Sequence, residues 1–72
     1  MSQNLEILIG NLVTAGYMAT WHEQTIYLHD SQGNRWAEID PLGINPKITV
    51  GGKTLIAAND RDVLTLLAEV AA

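Results

Sequence analysis

Cysteine is absent from the 72 residues, so neither a disulfide nor a thiolate metal site can brace so small a fold. Basic residues are scarce. Arg35, Lys47, Lys53 and Arg61 stand scattered against eight acids, for a net charge of −4. Phosphate recognition draws on clustered lysine and arginine, and the lack of a cluster argues against nucleic acid as a partner. The acids are spread along the chain as well, so they amount to a weak version of an array that mimics nucleic acid. No apolar run nears the ~20 residues needed to cross a bilayer, so no membrane partner is expected. The N-terminus carries neither a basic segment nor an Ala-x-Ala-like cleavage site, and the expected location is the cytoplasm.

What is present reads as one small globular domain over residues 1–72, with 47% hydrophobic and 17% charged residues and no internal repeat. A domain of this size sits near the lower limit at which one core offsets chain entropy, which favours a supplementary partner subunit.

Leu5, Leu8, Ile9 and Leu12 recur at helical spacing and predict an N-terminal helix. Ser2 or Asn4 is placed to cap it, and Gly16 to end it with a left-handed residue. Gly10 within this run permits either a close approach of the sheet or a kink. Toward the other end, Val63, Leu66, Leu67 and Val70 form a second stripe, with Leu64 beside it. Asn59 or Asp60 is placed to cap that helix, and Asp60 and Asp62 suit its positive end.

All four aromatic residues and both histidines fall between Tyr17 and Trp36. That window reads as two β-hairpins, turning at Glu23-Gln24 and at Ser31-Gln32-Gly33-Asn34. Pairing His22 with Thr25, and Asp30 with Arg35, sets Ile26 opposite Ile39 and Leu28 opposite Ala37. One face then carries Tyr17, Ala19, Trp21, Ile26, Leu28, Ala37 and Ile39 as core. The other carries Met18, Thr20, His22, Thr25, Tyr27, His29, Trp36, Glu38 and Asp40, with Trp36 across from His29. A loop over residues 40–46 follows, with Leu42 and Ile44 expected to anchor it. A further hairpin around Gly51-Gly52 precedes the last helix. The expected fold is α+β: a small antiparallel sheet of three to five strands flanked by N-terminal and C-terminal helices.

Chemistry finds little support. Gly51-Gly52-Lys53-Thr54 resembles the end of a phosphate-binding loop, but the glycine required five positions before Gly52 is Lys47. His22 and His29 share a strand face roughly 13 Å apart, too far for one metal ion to bridge. Glu38 and Asp40 are same-face neighbours on an exposed strand, without the water-excluding pocket that carboxylate catalysis needs. The reading is therefore non-enzymatic, with no cofactor and no metal.

Tyr27, His29, Trp36, Glu38, Asp40 and Met18 remain as candidate binding residues. Tryptophan and tyrosine bury much area while keeping a polar handle, and they are enriched at interaction hot spots. The expected function is a protein-interaction module, homodimeric, working through this aromatic-polar face. The competing structural reading is that a helix covers the face as core. Two other functional classes are a small acidic inhibitor of a nucleic-acid-processing complex, of the mobile-element type, and a weak ligand-binding or enzymatic domain around His29. RNA platforms also stack bases on strand aromatics, but Glu38 and Asp40 sit where such a platform needs positive charge.

Overall fold

The computed structural model describes residues 3–41 and 45–71. Helix α1 (Gln3–Thr14) leads into strands β1 (Met18–His22), β2 (Thr25–His29), β3 (Arg35–Asp40), β4 (Lys47–Val50) and β5 (Lys53–Ile56), and helix α2 (Asp60–Ala71) follows. The strands form one antiparallel sheet in the order β1-β2-β3-β4-β5, so each strand pairs with its sequence neighbours. This is the expected α+β fold with the full five strands. Sequential hairpins explain it: every connection is local, and no crossover is needed.

Periodicity places the core. Leu5, Leu8 and Leu12 of α1 and Val63 and Leu67 of α2 join Ile26, Leu28, Ala37, Ile39 and Ile48 in a single buried cluster. Both helices therefore lie on one face of the sheet. The competing reading, in which a helix covers the opposite face as core, does not hold: the second apolar stripe is satisfied by the same face as the first.

Local chemistry sets the ends of the elements. After α1, Gly16 adopts φ +99°, and the Tyr17 and Gly16 amides donate to the carbonyls of Leu12 and Val13. That pair of bonds is a Schellman termination, which only a residue tolerant of positive φ closes cheaply. At α2, Asn59 is the cap, its Oδ1 accepting the Asp62 amide at 2.9 Å, while the Asp62 carboxylate reaches back to the Ala58 amide. Ser2, Leu42 and Ile44 lie outside the described residues, and Asn4 falls inside α1 rather than before it.

Gly10 neither ends α1 nor admits the sheet. The helix runs on to Thr14, the residue is exposed, and a Cβ built there meets nothing within 4 Å. Gly10→Ala is expected to stabilise the domain by about 0.8–1 kcal/mol through helix propensity alone. In thermal unfolding that corresponds to a rise of roughly 4–8 °C for a domain of this length. A fall in the midpoint would show that the methyl group is not accommodated.

Two placements differ from the sequence reading, and both concern tryptophan. Trp21 was expected in the core. It pairs with buried Ile26 but stands at the far end of an edge strand, outside the buried cluster and 49% exposed. Trp36 was expected on the open face across from His29. Instead His29 pairs with Arg35, Leu28 pairs with Ala37, and Trp36 is the extra residue of a β-bulge between them.

The bulge has an identifiable origin. The Gly33 amide donates to the Asp30 carbonyl, the Asp30 amide to the Asn34 carbonyl, and Gly33 takes φ +85°. This is a three-residue hairpin loop, a type I turn closed by a left-handed glycine. The Asp30 carboxylate holds it by accepting the amides of Gln32 and Asn34, each at 2.9 Å. The loop closes Asp30 on Asn34, one residue earlier than the expected Asp30–Arg35 pair. Apolar pairing farther along still demands Ile26 opposite Ile39. One residue must be absorbed, and Trp36 is that residue. Its side chain turns to the helix side, where the ring lies 6.1 Å from that of Tyr17, and both pack on the core.

Candidate interaction face

The face opposite the helices is laid out by strand register. Thr20, Tyr27, Glu38, Thr49 and Thr54 form one row, with one residue from each strand. Beside it run His22, Thr25, Asp40, Lys47 and Ile56, and on the other side Met18, His29 and Arg35. Strand alternation makes these three rows neighbours on one surface. Thr25, Tyr27 and His29, on the second strand, are half-buried by their neighbours, and the remaining residues of the rows are exposed.

Of the candidate binding residues, the fold brings Met18, Tyr27, His29, Glu38 and Asp40 together here. Met18 pairs with His29, Tyr27 with Glu38, and Asp40 with Lys47. Trp36 is not among them, because the bulge removes it to the core edge. Arg35 takes its place. Its guanidinium carbon lies 4.0 Å from the centre of the Tyr27 ring, a cation–π contact worth about 0.5–1 kcal/mol at an exposed site.

His29 is held from both sides. Its Nε2 lies 2.7 Å from the Thr20 hydroxyl, and its Nδ1 lies 3.3 Å from the Gly33 carbonyl oxygen. A carbonyl only accepts, so the proton belongs on Nδ1, and Nε2 of the neutral ring accepts the hydroxyl. Both ring nitrogens are thereby engaged within the protein. In this arrangement His29 offers no free lone pair for a metal or for proton abstraction. Among the described residues, no group of three or more His, Asp or Glu side chains is assembled to hold a metal ion.

Arg35 and Thr20 were missed as site residues, and each had a signal. Asp30 three positions before Gly33 is the pattern of a type I turn closed by a left-handed glycine, from which the one-residue shift onto Arg35 follows. Thr20 needed only the β1–β2 register, which places it diagonal to His29.

Charge on this face is balanced. Arg35 and Lys47 offset Glu38 and Asp40, so the net charge of −4 comes from the rest of the chain, where six acids meet two bases. At the outer margin of β1, an open groove of about 540 Å³ lies between the end of α1 and the β2–β3 loop. Val13, Tyr17 and Ala19 line its apolar side. No helix of the described residues is long and apolar enough to cross a membrane. Comparison with protein-family models, with curated proteins and with solved structures gives no match to this chain, so its own surface is the guide to its role.

Proposed function

We propose that this chain is a non-catalytic interaction module that holds a protein partner on the open face of its sheet. One observation carries the reading: both helices cover the same face, leaving the other face of five strands uncovered by the described residues, with its central side chains already positioned. Ordered side chains lose less rotamer entropy when a partner binds, which favours association. Tyr27 supplies the large amphipathic contact, while Arg35 and Glu38 supply directional polar contacts around it. The balanced charge favours a partner of mixed polarity and gives no pull on a phosphate backbone. The cytoplasmic location expected from the sequence is kept as part of the same reading.

The test is quantitative affinity capture from an extract of the source organism. Wild type is compared with Tyr27→Ala, Arg35→Glu and a helix-side control, Arg61→Glu, with each fold checked by circular dichroism. Wild type and the control are expected to retain one protein in common. Loss of a hot-spot tyrosine is expected to reduce its retention at least about tenfold. Equal retention by all four proteins, or retention of nothing, would overturn the proposal.

A further inference from the structure

We infer that the outer edge of β1 pairs with the same strand of a second copy, joining two sheets into one. The contact uses the sheet edge and leaves both open faces accessible, so it stands independently of a partner there.

The hydrogen-bonding geometry is self-complementary. A two-residue turn joins His22 to Thr25, which makes that pair hydrogen-bonded in the β1–β2 ladder. Alternation then directs the backbone groups of Met18, Thr20 and His22 toward β2. Those of Ala19 and Trp21 point outward, with no strand beyond them in the sheet. An antiparallel second copy whose two-fold axis passes between the two Thr20 residues sets Ala19 against Trp21 of that copy, and Trp21 against its Ala19. Each such pair exchanges both backbone bonds, about four in all.

The side chains agree with that register. Trp21 is 49% exposed on the helix side of the edge. The matching position on the other copy is Ala19, the smallest side chain of β1, beside Tyr17 and the 56% exposed Val13. These three line the apolar side of the groove at the β1 edge, so the indole of each copy has a recess on the other. On the open side Thr20 meets Thr20, and Met18, 50% exposed, meets His22.

Charge points to the same edge. Two copies each carrying −4 repel one another, yet no charged residue occurs from Ile7 through His22. The edge strand itself is therefore uncharged, which lowers the cost of close approach, with Asp30 on the loop side of the groove as the like charge to be offset. Edge strands that must stay unpaired are normally guarded by lysine, proline or a bulge. β5, the other edge, carries Lys53 and has four residues; β1 has five and no such guard. The half-exposed indole withdraws on the order of 100 Å² per copy. With the paired backbones, Met18 and Val13, the contact comes to roughly 1,000 Å², the size of a weak specific interface.

Sedimentation equilibrium from roughly 1 to 200 μM brackets such an interface. A reversible dimer is expected for wild type and a monomer for Trp21→Lys. Ala19→Pro is also expected to be monomeric, because it removes an outward amide and spares the β1–β2 ladder. Should Ala19→Pro fail to fold, Trp21→Lys carries the comparison alone. The register is read separately. The non-hydrogen-bonded pair places the two Thr20 Cα atoms about 4.5 Å apart, within the range a disulfide spans. In a chain without cysteine, Thr20→Cys is therefore expected to form a covalent dimer under mild oxidation, and Thr54→Cys on β5 is not. A monomer throughout the concentration range, a dimer that survives Trp21→Lys, or crosslinking through Thr54→Cys in preference to Thr20→Cys would overturn the inference.

Discussion

Trp36→Ala is expected to lower stability by about 2–4 kcal/mol, somewhat under the range for a fully buried aromatic residue. Trp21→Ala, measured on monomer at low protein concentration, is expected to change it by less than about 1 kcal/mol. The contrast follows from the bulge. Trp36 packs on the core and against Tyr17, so truncation opens a gap at the end of the sheet where Leu28 is fully buried. Trp21 lies outside the buried cluster, and its indole leaves the interior unchanged. Urea unfolding followed through the remaining tryptophan reports both variants. A larger loss for Trp21→Ala than for Trp36→Ala would mean that the sheet lacks the bulge and keeps a uniform register.

The second large effect is expected at Ile39. It sits on the central strand, fully buried, between Ile26 and Ile48, and the row continues to Leu55 on β5. Ile39→Ala is expected to cost about 2–5 kcal/mol, because neighbours on both strands and the helices above hold the cavity open. A domain this small has a margin of only about 5 kcal/mol, so the variant should keep at most about 3 kcal/mol of it and unfold at a much lower urea concentration than wild type. Ile39→Val is expected to cost about 0.5–1.5 kcal/mol, as the smaller cavity requires. Glu38→Ala, one residue away on the open face, should stay within about 0.5 kcal/mol of wild type. Equal tolerance at positions 38 and 39 would contradict the two-faced sheet.

The candidate face was legible in part. Tyr27, His29 and Glu38 could be placed together because strand alternation and the Ile26–Ile39 pairing are local statements about a hairpin. Trp36 could not be placed that way. Its position depends on a contest between a loop that closes on Asn34 and an apolar pairing that demands a register one residue longer. Each requirement can be read from the chain, but their reconciliation is a property of the assembled sheet. Trp21 failed for another reason. Alternation assigned it to the helix side, but alternation carries no information about which strand is an edge.

The sequence by itself determined the elements and their order. Helical spacing marks Leu5, Leu8 and Leu12, alternation marks Ile26, Leu28, Ala37 and Ile39, and Gly16, Gly33, Gly51 and Gly52 occupy positive φ at the ends and turns. These signals act over a few residues, through backbone sterics and the side-chain periods of helix and strand. Only the tertiary structure decided that both helices share one face, that β1 is an outer edge, and that Trp36 leaves the open face to Arg35. Those outcomes depend on how layers pack and on where a one-residue mismatch is cheapest to absorb. Packing energy decides both, and it exists only once distant segments are in contact.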